Sequence, residues 1–88
     1  VNPELLARAG RALAGDDWRR PLARALGPLH PDGPREELDQ RLVSRWALGQ
    51  REIPAWVRPA LVGLLWQRAR ALHAEADEAA RTADVLMP

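Results

Sequence analysis

The chain has 88 residues, with 13 basic and 12 acidic side chains and a net charge of +1, which leaves room for one small domain with a single core and little space for multi-step chemistry. Cysteine is absent, so neither a disulfide framework nor a thiolate metal site can form. No apolar run approaches the roughly 20 residues that span a bilayer, and the N-terminus lacks the charged-then-apolar layout of a signal peptide; the expectation is a soluble protein of the reducing cytoplasm.

Asn2, Pro3 and Glu4 read as a helix start: a capping side chain, a proline at the first helical position and an acid against the positive end of the dipole. Leu5, Leu6, Ala9 and Leu13 then form a helical stripe, and Gly15 is a natural stop, which predicts a first helix over Pro3–Ala14. Asp16 and Asp17 are expected to cap a second helix that turns Trp18, Leu22, Ala25 and Leu26 inward and ends at Gly27. Pro21 must lie in its first turn, where a missing amide donor is tolerated. Arg19, Arg20 and Arg24 remain outside, and Arg19 and Arg20 are candidates for phosphate contact.

Pro28–Gly33, read P-L-H-P-D-G, is a turn-rich loop. A third helix follows, beginning either at Pro34, with Glu36 and Glu37 in its first turn, or at Asp39, itself a good N-cap, and closing at Gly49 after Leu48. At 3.6 residues per turn Leu38, Leu42, Val43 and Trp46 share one side of it, while Gln40, Arg41, Ser44 and Arg45 share the other. That is a core face backed by a polar face. Gln and Arg make bidentate hydrogen bonds to adenine and guanine edges, and arginine grips phosphate with the same planar fork. The plain alternative is a solvated helix surface.

Ile53 and Pro54 open the last element. Ala55 to Ala80 keeps helical spacing through Val57, Leu61, Leu64, Leu65, Leu72, Ala76 and Ala79, which predicts one long helix disturbed near Pro59. A second apolar wing, Val62, Trp66, Ala69, His73 and Ala80, lies beside the first and is wider than a small core requires. Either the first two helices consume both wings, or Val62, Trp66, Ala69 and His73 meet a second copy of the chain; the second is the expectation. Residues 1–81 are expected to form the domain and 82–88 a flexible tail.

Charge is unevenly spread. Between Gln40 and Arg70 six arginines face the single acid Glu52, whereas beyond Ala71 only Arg81 stands against Glu75, Asp77, Glu78 and Asp84. A basic surface with an acidic end turned elsewhere fits a polyanionic partner. Chemistry of the enzymatic kind has no foothold: no nucleophile has a paired base, and His30 and His73 belong to different elements. A metal site needs three or four convergent ligands, and His30 has no second ligand nearby, so neither metal, cofactor nor small-molecule substrate is expected.

Two segments carry a family resemblance. W-R-R-P-L-A-R-A-L-G (Trp18 to Gly27) resembles the second helix and closing glycine of Cro/repressor-type (lambda-repressor-like, XRE) helix-turn-helix domains, and L-V-S-R-W-A-L-G-Q-R-E-I-P (Leu42 to Pro54) resembles the recognition helix and the loop after it. The resemblance implies an all-α, four-helix domain with a long C-terminal helix. Val43 and Trp46 would anchor the recognition helix while its polar side enters the major groove of double-stranded DNA. It also implies a transcriptional regulator acting as a homodimer on an inverted repeat, located in the cytoplasm at a bacterial nucleoid or encoded by a phage. The chain departs from the family in placing eleven residues, Pro28 to Leu38, between Gly27 and Asp39. If the third helix starts at Pro34, Glu37 falls on the reading face and must project away from phosphate or be neutralised by Arg41.

The functional expectation is therefore a sequence-specific DNA-binding regulator. Gln40, Arg41, Ser44 and Arg45 are its base readers, and Arg19, Arg20, Gln50 and Arg51 its phosphate contacts. The competing expectation is a helical protein-interaction module that works through the inserted loop and the second wing of the last helix.

Overall fold

The computed structural model describes all residues from Val1 to Pro88 and contains only helices. They are α1 (Pro3–Ala14), α2 (Arg19–Leu26) with a single 3-10 turn at Gly27–Leu29, α3 (Gln40–Ala47) and α4 (Val57–Leu86). No helix is long and apolar enough to cross a membrane.

The expected limits of α1 are those observed. The Oδ1 of Asn2 accepts the Leu5 backbone N–H at 2.8 Å, and Gly15, at φ 78°, donates its N–H to the Arg11 carbonyl. The cap expected for α2 is not observed. Trp18 occupies the N-cap position in helical conformation with no side-chain cap bond, and Asp16 and Asp17 lie in the preceding turn. Trp18 is instead fixed from behind: a Cβ on Gly10 would collide with its indole ring, so only glycine lets α1 lie against that ring. Ala23 rather than Ala25 is the buried alanine of α2, because Ala23 shares the inner stripe with Leu22 and Leu26.

The third helix begins at the later of the two expected starts. Asp39 caps α3 by accepting the Arg41 N–H at 2.9 Å, and Glu36 and Glu37 remain in the loop. The inserted segment is folded back on α2: the Arg35 N–H donates to the Gly27 carbonyl at 3.0 Å and the Leu38 N–H to the Ala23 carbonyl at 2.9 Å. Leu38 thus enters the core from a loop. Gly49, at φ 73°, ends α3 in a Schellman arrangement, with Gln50 N–H on the Arg45 carbonyl and Gly49 N–H on that of Trp46.

Two expectations for α4 are corrected. Its first residue is Val57, which puts Pro59 in the first turn, where no amide partner is lost and no disturbance results. It also runs past Ala80 to Leu86, so the segment expected as a tail from residue 82 is helical over all but its last two residues. The alanine-rich stretch before Leu86 holds neither glycine nor proline to stop it.

The core joins all four helices: Leu6 and Ala9 of α1; Trp18, Leu22, Ala23 and Leu26 at α2; Leu38; Val43 and Trp46 of α3; Val57 and Leu61 of α4. No polar side chain is buried, so burial of apolar surface is the dominant cohesive term. Only the first turns of α4 take part. Beyond Ala69 every residue of α4 is exposed, and the molecule extends to 57 × 26 × 18 Å.

Candidate nucleic-acid interface

Val43 and Trp46 are 0% and 2% exposed, and this pair pins α3 against α1 and α2. The opposite side of the helix is thereby turned outward. Gln40, Arg41 and Arg45 are exposed and Ser44 is half-buried, so the four candidate base readers lie together along one outer ridge. Leu48 continues that ridge at 67% exposure, four residues beyond Ser44 and seven beyond Arg41. The same spacing could have placed it there from the sequence, where it was read only as the last residue before the Gly49 stop.

The two candidate phosphate ligands on α2 come beside the leading end of this ridge. Arg19, Arg20 and Gln40 line one shallow depression with Asp17, and Arg20, Gln40 and Arg41 line a second with Glu37, Leu38 and Asp39. The Arg19 guanidinium lies over the Trp18 ring, 4.9 Å from its centroid, which holds its stem against the buried indole. Gln50 and Arg51 are exposed at the other end of α3, after the Gly49 turn.

Electrostatics at the leading end differ from the sequence expectation. Glu37 is off the helix and pairs with Arg24 of α2, Nε to Oε2 at 3.4 Å, not with Arg41. Arg41 pairs with its own cap: its Nη2 donates to Asp39 Oδ2 at 3.1 Å and its Nε to Asp39 Oδ1 at 3.3 Å. The Arg41 side chain is still 84% exposed. Its hydrogen bonds, side-chain first and backbone second, hold the Asp39 carboxyl below the usual aspartate range, and the same side-chain bond raises the Arg41 pKa. The acid nearest the ridge is therefore already neutralised by a ridge residue.

The other singled-out side chains sit apart from this surface. His30 accepts the Asp32 N–H on Nδ1 at 3.1 Å and packs its ring 5.2 Å from that of Trp56. Among the candidate interface residues of α4, Val62 and Trp66 are 48% and 63% exposed, Ala69 is half-buried and His73 is exposed. Val62, Leu65, Trp66 and Ala69 together line an apolar depression on the outer side of α4. Comparison with protein-family models, curated proteins and solved structures returned no match.

Proposed function

We propose that this chain is a sequence-specific double-stranded DNA-binding regulator of transcription, of the lambda-repressor-like helix-turn-helix type, with α3 as its recognition helix. The observation that carries this reading is the outward ridge of Gln40, Arg41, Ser44 and Arg45 on a helix whose other side is anchored by Val43 and Trp46. A B-form major groove about 12 Å wide admits such a helix, and Gln and Arg are the side chains that read adenine and guanine bidentately. Leu48, on the same ridge, supplies an apolar contact of the kind made to a thymine methyl. Arg19 and Arg20 beside the leading end, with Gln50 and Arg51 beyond the trailing end, would bind phosphate on either side of the groove and fix the register.

The inserted segment is compatible with this placement, because it is tied to α2 through Gly27 and Ala23 and its Glu37 is neutralised by Arg24. The second apolar wing of α4, Val62, Trp66, Ala69 and His73, would join two copies on an inverted repeat, as helix-turn-helix dimers do on paired half-sites. The test is selection of bound duplexes from a random pool by purified protein, followed by mobility shift of the selected site. A palindromic consensus whose binding is lost on Arg41→Ala, Arg45→Ala double substitution is the expected result. Enrichment of no sequence, or binding indifferent to that substitution, overturns the reading. In that case the exposed length of α4 favours the helical protein-interaction module as the function.

A further inference from the structure

The distal part of α4 is a helix that one chain leaves without a partner. From Arg70 onward every residue is exposed, including Leu72 and Leu86 at 44% and 79%. Large apolar side chains at such exposure, continuous with the Val62–Trp66 depression, mark a contact surface rather than a solvated face.

The spacing of that surface is seven. Val62, Ala69, Ala76 and Ala83 recur at one heptad position, and Leu65, Leu72, Ala79 and Leu86 recur three residues after each. This is the a/d seam of a coiled coil sustained over more than three heptads. Directly flanking it are Arg68 and Glu75 on one side and Trp66 and His73 on the other. Charge changes sign along the same helix, with Arg58, Arg68 and Arg70 toward its start and Glu75, Asp77, Glu78 and Asp84 toward its end.

We propose that α4 pairs with α4 of a second copy of this chain in antiparallel orientation about a two-fold axis between Arg70 and Ala71, Arg68 of each facing Glu75 of the partner subunit. In this register a small residue faces a large one in each inner layer: Val62 meets Ala79, Leu65 meets Ala76, and Ala69 meets Leu72 of the partner subunit. Every contact occurs twice, as an isologous interface requires. Trp66 stacks near His73 of the partner subunit, and the basic and acidic halves of the two helices lie against one another. A parallel pair would set Ala69 on Ala69 and Ala76 on Ala76, leave voids beside the leucine layers, and give Arg68 no carboxylate. The seam also passes through Leu65 into the groove it shares with Leu5, Arg8 and Ala12 of α1, which receives the partner's distal turns.

This pairing rests on the homodimer half of the function proposed above and not on DNA binding, and its test uses no DNA. Sedimentation of the purified chain is expected to give a dimer. Arg68→Glu or Glu75→Arg alone raises the dimer Kd about tenfold or more, and the two together restore it, because each contact occurs twice and is reversed in sign. The chain has no cysteine, so direction can be read by cross-linking. A mixture of Val62→Cys and Ala79→Cys proteins is expected to be joined by a short bismaleimide, whereas Val62→Cys alone is not, since antiparallel helices hold the two copies of residue 62 about 25 Å apart. A monomer at all concentrations, a Val62→Cys homodimer joined by the reagent, failure of the mixture to cross-link, or no rescue by the double charge reversal would each overturn the proposal.

Discussion

Arg41 lies on the carboxylate of Asp39, the residue that caps its own helix, with Nη2 3.1 Å from Oδ2 and Nε 3.3 Å from Oδ1. One aspartate therefore serves the helix start through the Arg41 backbone N–H and restrains a candidate reading side chain through the guanidinium. Asn caps a helix about as well as Asp but carries no charge. Asp39→Asn is expected to keep α3 folded, free Arg41 and remove a negative charge from the ridge, so on the proposed function DNA affinity should rise roughly three- to tenfold at low salt. Binding titrations of the two proteins at matched ionic strength check this, and an unchanged or weaker affinity would show that Asp39 positions Arg41 for the groove rather than competing with it.

The same pair predicts a pH dependence. The folded-state pKa of Asp39 is lowered, chiefly by the Arg41 side-chain bond, so the carboxylate contributes stability that is fully present above the unfolded-state pKa. That contribution is lost as pH falls through the usual aspartate range to the lowered folded-state value, and it is intact at neutral pH. An NMR titration of the Asp39 carboxyl should give a midpoint below the ordinary aspartate value. Arg41→Ala should move the midpoint upward without abolishing the depression, since the residue-41 backbone N–H still donates.

Gly27 and Gly63 are both helical glycines and should respond oppositely to alanine. A Cβ at Gly27 would lie 2.6 Å from the Glu37 Cα, 2.8 Å from its N and 2.9 Å from the Arg35 carbonyl oxygen, all backbone atoms that cannot turn aside. Gly27→Ala is expected to destabilise by about 1 to 3 kcal/mol and to speed amide exchange at Arg35 and Leu38, whose N–H groups tie the inserted segment to α2. Nothing stands within 4 Å of a Cβ at Gly63, so Gly63→Ala should stabilise by about 0.5 to 1 kcal/mol. Chemical denaturation of the two variants, compared at equal protein concentration, gives both signs.

What the sequence disclosed was set by how local each determinant is. α1 could be bounded from Asn2, Pro3 and Gly15 because caps act within one turn. The outward side of α3 was legible for the same reason: Gln40, Arg41, Ser44 and Arg45 share a face at any helix start. The start itself was not, since Pro34 and Asp39 both satisfy local rules, and the choice is made by Leu38 reaching the core and by the bond from its N–H to the carbonyl of Ala23, which lies in α2 and outside the reach of any local pattern. That choice also decided the ion pairs. With Pro34 as the start, Glu37 and Arg41 stand one turn apart; with Asp39 as the cap, Glu37 meets Arg24 instead. Asp16 and Asp17 failed as caps because anchoring of Trp18 under Gly10, a contact between α1 and α2, fixes how the chain enters α2.

For the proposed DNA contacts, Arg45→Ala or Arg41→Ala should cost about 1 to 3 kcal/mol of binding and relax preference at one base pair, while Arg19→Ala, Arg20→Ala or Arg51→Ala should weaken all sequences alike. Three phosphate-binding arginines per protomer, doubled in a dimer, predict a fall of log K with log salt of slope about −5, with each Arg→Ala change making it shallower by about 2 per dimer. Competition assays with single-base variants of the selected site, repeated across a salt series, separate the two classes. A slope near zero would remove the phosphate contacts from the account.

Trp46 and Trp66 offer the same chemical deletion in opposite settings. Trp46 is 2% exposed on the inner face of α3, and Trp66 is 63% exposed on the outer side of α4. Trp46→Ala leaves a cavity in the buried core cluster and should cost about 3 to 5 kcal/mol, a large share of the 5 to 15 kcal/mol that holds a domain of this size together. It should also release the α3 ridge, so DNA binding and folding fail together. Trp66→Ala removes little buried surface from a single chain, and in protein dilute enough to be monomeric it should shift the unfolding midpoint only slightly, by less than about 0.5 kcal/mol. Urea denaturation followed by far-UV circular dichroism at a fixed low concentration compares them directly. Equal losses would mean that Trp66 is packed within the monomer and not held free on α4.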